Sequence, residues 1–271
     1  MSYRAGAYGH MNTRMKEVRN SGSVELLILG SSHAYRGIDT RYFERNGIKT
    51  INLGSSSQTP IQSLMLLQKY FDQLRPSMVI LEVYPEIFSL DGVESSLDLV
   101  ANDNADWHLF QMVLNVNHIK TYNAFTYSLL RQCYGNWDDF VEPVTMGKDT
   151  YIKGGFVDRK SETFKYTNHE PVKIIFRKEQ LEALKKIIEF VSSKNCKLLL
   201  VQAPVTKAYY QSMQFEMNMD SLMESYAPYI NFNGKIALDD SLHFYDPDHL
   251  NREGVNIFNE ALMKFMDEKH F

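Results

Sequence analysis

Cysteine is nearly absent. The two present, Cys133 and Cys196, stand far apart and form no C-x-x-C or other ligand spacing, which argues against a disulfide framework or a cysteine metal site and reads both as buried thiols. A basic excess is lacking too. Lys and Arg number 29 against 33 Asp and Glu, for a net charge of −4. The isoelectric point is near 6.1. Without the clustered Lys and Arg that track a phosphate backbone, nucleic acid is not an expected partner. No apolar run reaches the roughly 18 to 20 residues that span a bilayer, and no signal-peptide pattern precedes the first strand. Internal repeats and low-complexity tracts are also missing. What is there is ordinary globular composition, 44% hydrophobic and 23% charged over 271 residues, enough for one large domain or two small ones with a substantial core. Residues 1–23 (MSYRAGAYGHMNTRMKEVRNSGS) are basic and polar. They read as an N-terminal arm, the remnant left when a targeting or anchoring segment is removed.

The organising stretch is Val24-Glu25-Leu26-Leu27-Ile28-Leu29-Gly30-Ser31-Ser32-His33. An apolar run of strand length stops at a glycine and delivers two serines and a histidine into the next turn. A short helix opened by Asp39 and closed near Asn46-Gly47 follows, then the strand Thr50-Ile51-Asn52-Leu53-Gly54. Thr59-Pro60-Ile61-Gln62 combines a cap residue, a proline at the first helical position and a glutamine three after the cap. Leu64, Leu67, Tyr70, Phe71 and Leu74 then share one helical face up to Pro76. Met78 to Val83 is a third strand. Strand, helix, strand, helix, strand predicts a parallel sheet with right-handed crossovers. From Phe88 to Phe176 the rhythm breaks. This stretch, rich in Asn, Asp, Tyr and Trp, predicts an ordered insertion covering the carboxyl edge of the sheet and setting substrate selectivity, with a helix over Asp106–Leu130 and a Gly-Gly loop at Tyr151–Arg159. Its aromatics, Trp107, Tyr122, Tyr127, Tyr134 and Trp137, read first as packing and second as a surface for a sugar or acyl chain. The pattern resumes with a helix at Lys178–Val191, a strand at Lys197–Gln202, a weaker strand near Pro228–Phe232, and a closing helix from Asn251 that buries Val255, Phe258, Leu262 and Phe265.

Three loops at strand ends carry unusual polar density: Ser31-Ser32-His33, Asn52 to Gln58, and Asp239 to His249. A parallel sheet brings such loops to one edge, where ligands of open α/β folds bind. A serine becomes a nucleophile when a histidine accepts its proton and a carboxylate fixes that histidine's tautomer. The assignment is Ser32, His249 and Asp246. Each piece has a plainer reading, since serines cap helices, glycines turn chains, and Asp-x-x-His can be a turn before a helix. For His33, capping the turn is favoured over a place in the site.

These residues resemble the SGNH (GDSL-like) hydrolases. Gly30-Ser31-Ser32 matches the family's nucleophile block, with serine in place of the aspartate, Gly54 matches its oxyanion-hole glycine, and Asp246-Pro247-Asp248-His249 matches its Asp-x-x-His block. The resemblance implies a three-layer α/β/α flavodoxin-like fold with about five parallel strands. It also implies an acyl-serine enzyme needing no cofactor, either a serine esterase or an O-acyltransferase. Gly-Ser-Ser looks more like the branch of the lipoteichoic-acid D-alanylation protein and the alginate O-acetyltransferases. That branch implies a small-molecule or carbohydrate ester substrate, a cell-envelope polymer, membrane-associated acylation machinery as a partner, and an extracytoplasmic location with an N-terminal anchor. One departure stands out. The family's third block is Gly-x-Asn-Asp, whereas here the third strand ends Glu82-Val83-Tyr84-Pro85-Glu86. Expected oxyanion donors are the backbone N–H groups of Ser32 and Gly54, with Tyr84 or Gln58 as a third. Two alternatives stand beside this reading: a metal-dependent hydrolase using Asp239, Asp240, His243, Asp246 and His249, and a non-catalytic polysaccharide-binding or assembly module on the same fold.

Overall fold

A computed structural model describes residues 9–135, 140–160, 162–163 and 170–271; Trp137 lies outside them. The first half of the chain forms α1 (Met11–Asn20), β1 (Leu26–Leu29), α2 (Ser32–Gly37), α3 (Thr40–Arg45), β2 (Thr50–Asn52), α4 (Pro60–Leu74), β3 (Met78–Glu82), a 3-10 turn (Pro85–Phe88), α5 (Val93–Asn102), α6 (Trp107–Val116) and α7 (Ile119–Tyr134). The second half forms β4 (Thr145–Met146), β5 (Asp149–Ile152), β6 (Phe156–Arg159), β7 (Val172–Ile174), α8 (Lys178–Ser193), β8 (Lys197–Gln202), α9 (Lys207–Ser212), β9 (Met213–Phe215), α10 (Met219–Tyr226), β10 (Tyr229–Asn231) and α11 (Arg252–Glu268).

The central sheet has five strands in the order β10-β8-β3-β1-β2, all parallel. Counted along the chain this is 2-1-3-4-5, the flavodoxin-like winding, with its switch point between the first strand and the third. Side chains alternate across the strands. Leu27, Leu29, Val79, Leu81, Leu198 and Leu200 face one core with α4 and α8. Leu26, Ile28, Ile80, Leu199 and Val201 face the other, with Phe258 and Leu262 of α11. Three layers follow from that two-sided burial.

Local chemistry starts the helices where the spacing predicts. Pro60 opens α4, and Gln62 Oε1 accepts from the Thr59 N–H at 2.9 Å. Asp39 caps α3 by accepting from the Arg41 N–H. In α11 the buried apolar side chains are Val255, Phe258, Leu262 and Met266; Phe265 is only partly buried, because the core-facing stripe drifts round the helix and reaches Met266.

Other elements differ from expectation. The N-terminal segment contains α1, whose Met11, Met15 and Val18 are fully buried in the α4-side core, so residues 11–20 belong to the packed body. The stretch read as one helix over Asp106–Leu130 divides at Asn117, which adopts a left-handed conformation (φ 47°), and His118 caps the second piece. The helical part of the insertion lies against a face of the sheet and not over its carboxyl edge. Leu99, Leu109, Val113 and Phe125 join α5, α6 and α7 to the α4-side core. The Gly-Gly segment is the turn of a β5–β6 hairpin that closes the open side of β2, where Asn52 N–H donates to Gly154 O at 2.7 Å. Buried Arg14 donates to Gly155 O through Nη2 at 2.9 Å. Covering an edge strand this way removes a site for unwanted pairing. Trp107, Tyr127 and Tyr134 are exposed rather than packed, as is Cys133. Among the described residues no helix is long and apolar enough to cross a membrane.

Candidate active site

Strand β1 runs out into Gly30, whose φ of 140° and whose 2.6 Å separation between a would-be Cβ and Glu82 Cβ leave room for no side chain. The chain therefore passes tightly against Glu82 of the neighbouring strand β3 as it leaves β1 for α2. Ser31 becomes the N-cap of α2, accepting from the His33 N–H, and Ser32 is the first residue of that helix. At such a position the backbone N–H has no partner within the helix.

The histidine arrives from the other end of the sequence. A Phe244–Leu250 bridge pinches the loop before α11. Inside it Asp246 Oδ1 accepts from the N–H groups of Asp248 at 3.1 Å and His249 at 2.7 Å. The same carboxylate faces the His249 ring, with Oδ2 at 3.0 Å and Oδ1 at 3.1 Å from Nδ1. His249 Nε2 lies 2.8 Å from Ser32 Oγ, across 217 residues of sequence. Ser32, His249 and Asp246 are thus brought together at the carboxyl end of the sheet, beside the switch point.

A second carboxylate, not anticipated, also faces this ring: Asp248 Oδ1 is 3.2 Å from His249 Nδ1. Burial opposes charging His249, but hydrogen bonds to Asp246 and Asp248 outweigh it and push its pKa up to about 9. The neighbouring imidazolium and His33 in turn hold Asp248 well below the usual carboxylate range, despite its burial. His33 sits in the site rather than capping the turn, because Ser31 is the cap. Its ring stacks on Tyr84 with centroids 3.9 Å apart and on His249 at 4.7 Å, and burial, then the adjacent His249, push its pKa down to about 3. Tyr245 stacks on the far face of His249 at 5.5 Å, and Arg159 of the hairpin covers Tyr245 at 4.3 Å. The His249 imidazole is clasped between rings.

The expected oxyanion donors are differently placed. Gly54 N–H donates to Asn52 Oδ1 at 3.0 Å. Gln58 accepts from Ser55 Oγ at 2.7 Å and donates to Ser63 Oγ at 3.0 Å. Tyr84 donates its hydroxyl proton to Glu86 at 2.9 Å. These engagements correct the expectation for Gly54, Gln58 and Tyr84; of the expected donors, the Ser32 amide stands at the first position of α2, beside the Ser32 hydroxyl. The alternative metal set is also dispersed. Asp240 accepts from Lys207 N–H at 2.8 Å at the start of α9. Asp239 accepts from Ser241, and His243 Nδ1 accepts from the Asp239 N–H. Nitrogen and oxygen atoms of His33, Asp248 and His249 do lie within 4.8 Å of one another, but both His249 nitrogens are already engaged by Ser32 and the carboxylates.

Two clues to the residues missed were visible in the chain. Glu82 ends an apolar strand that is buried throughout, and Asp248 lies inside the Asp-x-x-His run. Neither reveals its partner without the fold. A hollow formed by His33, Arg36, Asp248 and His249 shares Pro204 with a neighbouring cleft of about 310 Å³, lined by Val205, Tyr210, Phe232, Asn233 and Leu238. The second gives an apolar floor with a few polar groups adjoining that hollow.

No protein-family profile matches this chain, and no curated protein does. Among solved structures it is similar to a GDSL-like lipase from Bacteroides thetaiotaomicron, at 13% identity and TM-score 0.49, over 97% of this chain and 99% of that one. It is similar to a psychrotrophic esterase from Pseudoalteromonas sp., at 14% identity and TM-score 0.39, over 90% and 96%. A two-domain esterase active on acetylated mannans matches at 12% identity and TM-score 0.36, over 98% of this chain and 54% of that one.

Proposed function

We propose that this protein is a serine esterase or O-acyltransferase of the SGNH type, forming an acyl-serine at Ser32. The observation that carries the reading is the run Ser32 Oγ, His249 Nε2, His249 Nδ1, Asp246 Oδ2, with separations of 2.8 and 3.0 Å, at the sheet end where open α/β folds bind ligands. In the neutral state His249 takes the Ser32 proton as the hydroxyl attacks an ester carbonyl, then returns it to the departing alcohol. Asp246 fixes the ring with Nε2 toward the serine and stabilises the imidazolium. The Ser32 N–H faces the developing oxyanion. Water resolves the acyl-enzyme in hydrolysis; a sugar hydroxyl does so in transfer. The Gly-Ser-Ser turn favours an acylated carbohydrate or cell-envelope polymer as substrate.

A specific observation favours a second reading. With Gly54, Gln58 and Tyr84 all engaged, the oxyanion hole is short of donors, and each missing donor costs about 10²- to 10³-fold in rate. A polysaccharide-binding or assembly module on the same fold would show this arrangement. Burst-phase hydrolysis of p-nitrophenyl acetate, with intact mass to detect an acetylated protein, separates the two. Turnover or an adduct lost in Ser32→Ala is the expected result. A folded protein silent in both assays that retains acetylated glycans on a column overturns the enzyme reading.

A further inference from the structure

Behind the serine–histidine pair runs a second chain of polar groups that the proposed chemistry does not use. Glu82, fully buried, accepts at Oε2 from Ser31 N–H at 3.1 Å and lies 2.7 Å from Ser31 Oγ. Ser31 Oγ is 3.0 Å from His33 Nδ1. His33 Nε2 is 3.6 Å from Asp248 Oδ2, and Asp248 Oδ1 reaches His249 Nδ1. Resting on the esterase reading, we propose that His33 is a positioning residue for His249, and that Glu82, acting through Ser31, selects the His33 tautomer that pins Asp248 against the base.

The argument is a count of protons. Ser31 has one hydroxyl hydrogen and stands between Glu82 and His33. When Glu82 is ionised, that hydrogen points to Oε2, and His33 must supply Nδ1–H to Ser31. His33 Nε2 then turns a lone pair toward the Asp248 carboxylate, where nothing is bonded. When Glu82 holds a proton, it donates to Ser31 Oγ, Ser31 donates to His33 Nδ1, and His33 carries its hydrogen on Nε2, facing Asp248. One proton gained at Glu82 therefore exchanges a repelled Asp248 for a hydrogen-bonded one. Buried polar atoms are normally satisfied, yet His33 Nε2 and Glu82 Oε1 have no partner here, as expected of a chain with two proton arrangements. Burial pushes Glu82 up to about 7, against the hydrogen bonds from Ser31 that lower it. The exchange thus falls in the working range of pH.

The consequence reaches the base because Asp246 and Asp248 share a single Nδ1–H of His249. Pinned, Asp248 adds its charge to that of Asp246 and keeps the imidazole basic; released, it leaves Asp246 alone to orient the ring. The titratable and charged groups facing this chain are Asp246 and Tyr245 on the same loop, and Tyr84 at the end of β3 with Glu86 beyond it. Arg36 of α2, which lines the hollow with His33, Asp248 and His249, Tyr209 of α9 and Arg159 of the hairpin complete the set.

The test is an NMR titration of the His249 imidazole in the full chain, alongside the pH profile of p-nitrophenyl acetate turnover, for wild type, His33→Phe and Glu82→Gln. Phenylalanine keeps the ring stack and removes both nitrogens, so the relay from Glu82 to Asp248 is cut and the inflection near 7 expected of wild type, in the His249 resonances and in kcat, is expected to vanish, with KM within about twofold. Glutamine at 82 keeps a donor toward Ser31 at every pH, so His249 is expected to titrate no lower than in wild type and to lose any inflection near 7. A wild type without that inflection, or an inflection that persists in His33→Phe, overturns the proposal, and this variant carries the test if Glu82→Gln does not fold. A wild type that neither turns over nor is acylated at Ser32 overturns the esterase reading instead, while the NMR titration still reports on His33.

Discussion

Replacing Asp246 with asparagine tests how the two carboxylates divide their work. On the esterase reading the neutral imidazole acts as base, so a pKa raised to about 9 leaves His249 protonated at neutral pH, and kcat/KM should climb with pH until about 9. Removing one negative charge favours the neutral ring, which moves that limb to lower pH. A unit charge at about 3 Å is worth ~1.4 kcal/mol in water and ~5 kcal/mol at an effective dielectric of 20. Asp246 is 35% exposed, so solvent screening places it near the lower figure, and the limb should fall by about one pH unit. A triad with a single carboxylate loses about 10⁴-fold on this change because the histidine adopts the wrong tautomer. Here Asp248 remains 3.2 Å from Nδ1 and can hold the hydrogen there, so the loss at the plateau should be about 10- to 100-fold. The assay is kcat/KM for p-nitrophenyl acetate across the limb, corrected for spontaneous hydrolysis, in Asp246→Asn, Asp248→Asn and the double variant. An unmoved limb would refute the electrostatic account, and a full 10⁴-fold loss in the single variant would refute the sharing.

Glu82→Gln should stabilise the fold above pH 7 and do little in acid. The folded-state pKa of about 7 lies above the ordinary carboxylate value of 4.5, so the native state binds the extra proton between the two, and stability falls by about 3 kcal/mol as pH rises across that window; urea unfolding below it, at about pH 4, and above it, at about pH 8, checks it. Gly155→Ala should lower stability by about 3 kcal/mol or more. Its φ is 98° and the new Cβ would fall 2.0 Å from Asn52 O, so the hairpin must leave β2, and thermal melts would show it. Met15→Ala should cost about 2 to 5 kcal/mol, as measured by chemical denaturation. A near-neutral result would mean that α1 is an appendage and not part of the domain.

Periodicity and caps determined most of the scaffold. Apolar runs such as Leu26–Leu29 and Leu198–Val201, buried on both faces, can be little else than central parallel strands, and Thr59-Pro60 can start little else than a helix. Those signals are local, which is why they survive in the sequence. The order of polar motifs along the chain likewise made Ser32, Asp246 and His249 candidates, since a parallel sheet sends its loops to one edge. The 2.8 Å contact between Ser32 and His249 was decided only by the fold, as were the inclusion of α1 in the core, the closure of β2 by the Gly154-Gly155 turn, and the engagement of Gly54, Gln58 and Tyr84 elsewhere. The same holds for the buried run from Glu82 through Ser31 and His33 to Asp248. A hydrogen bond depends on distances of a few tenths of an ångström between residues far apart in sequence. Residue type and spacing carry which groups can react, and packing alone sets which of them meet.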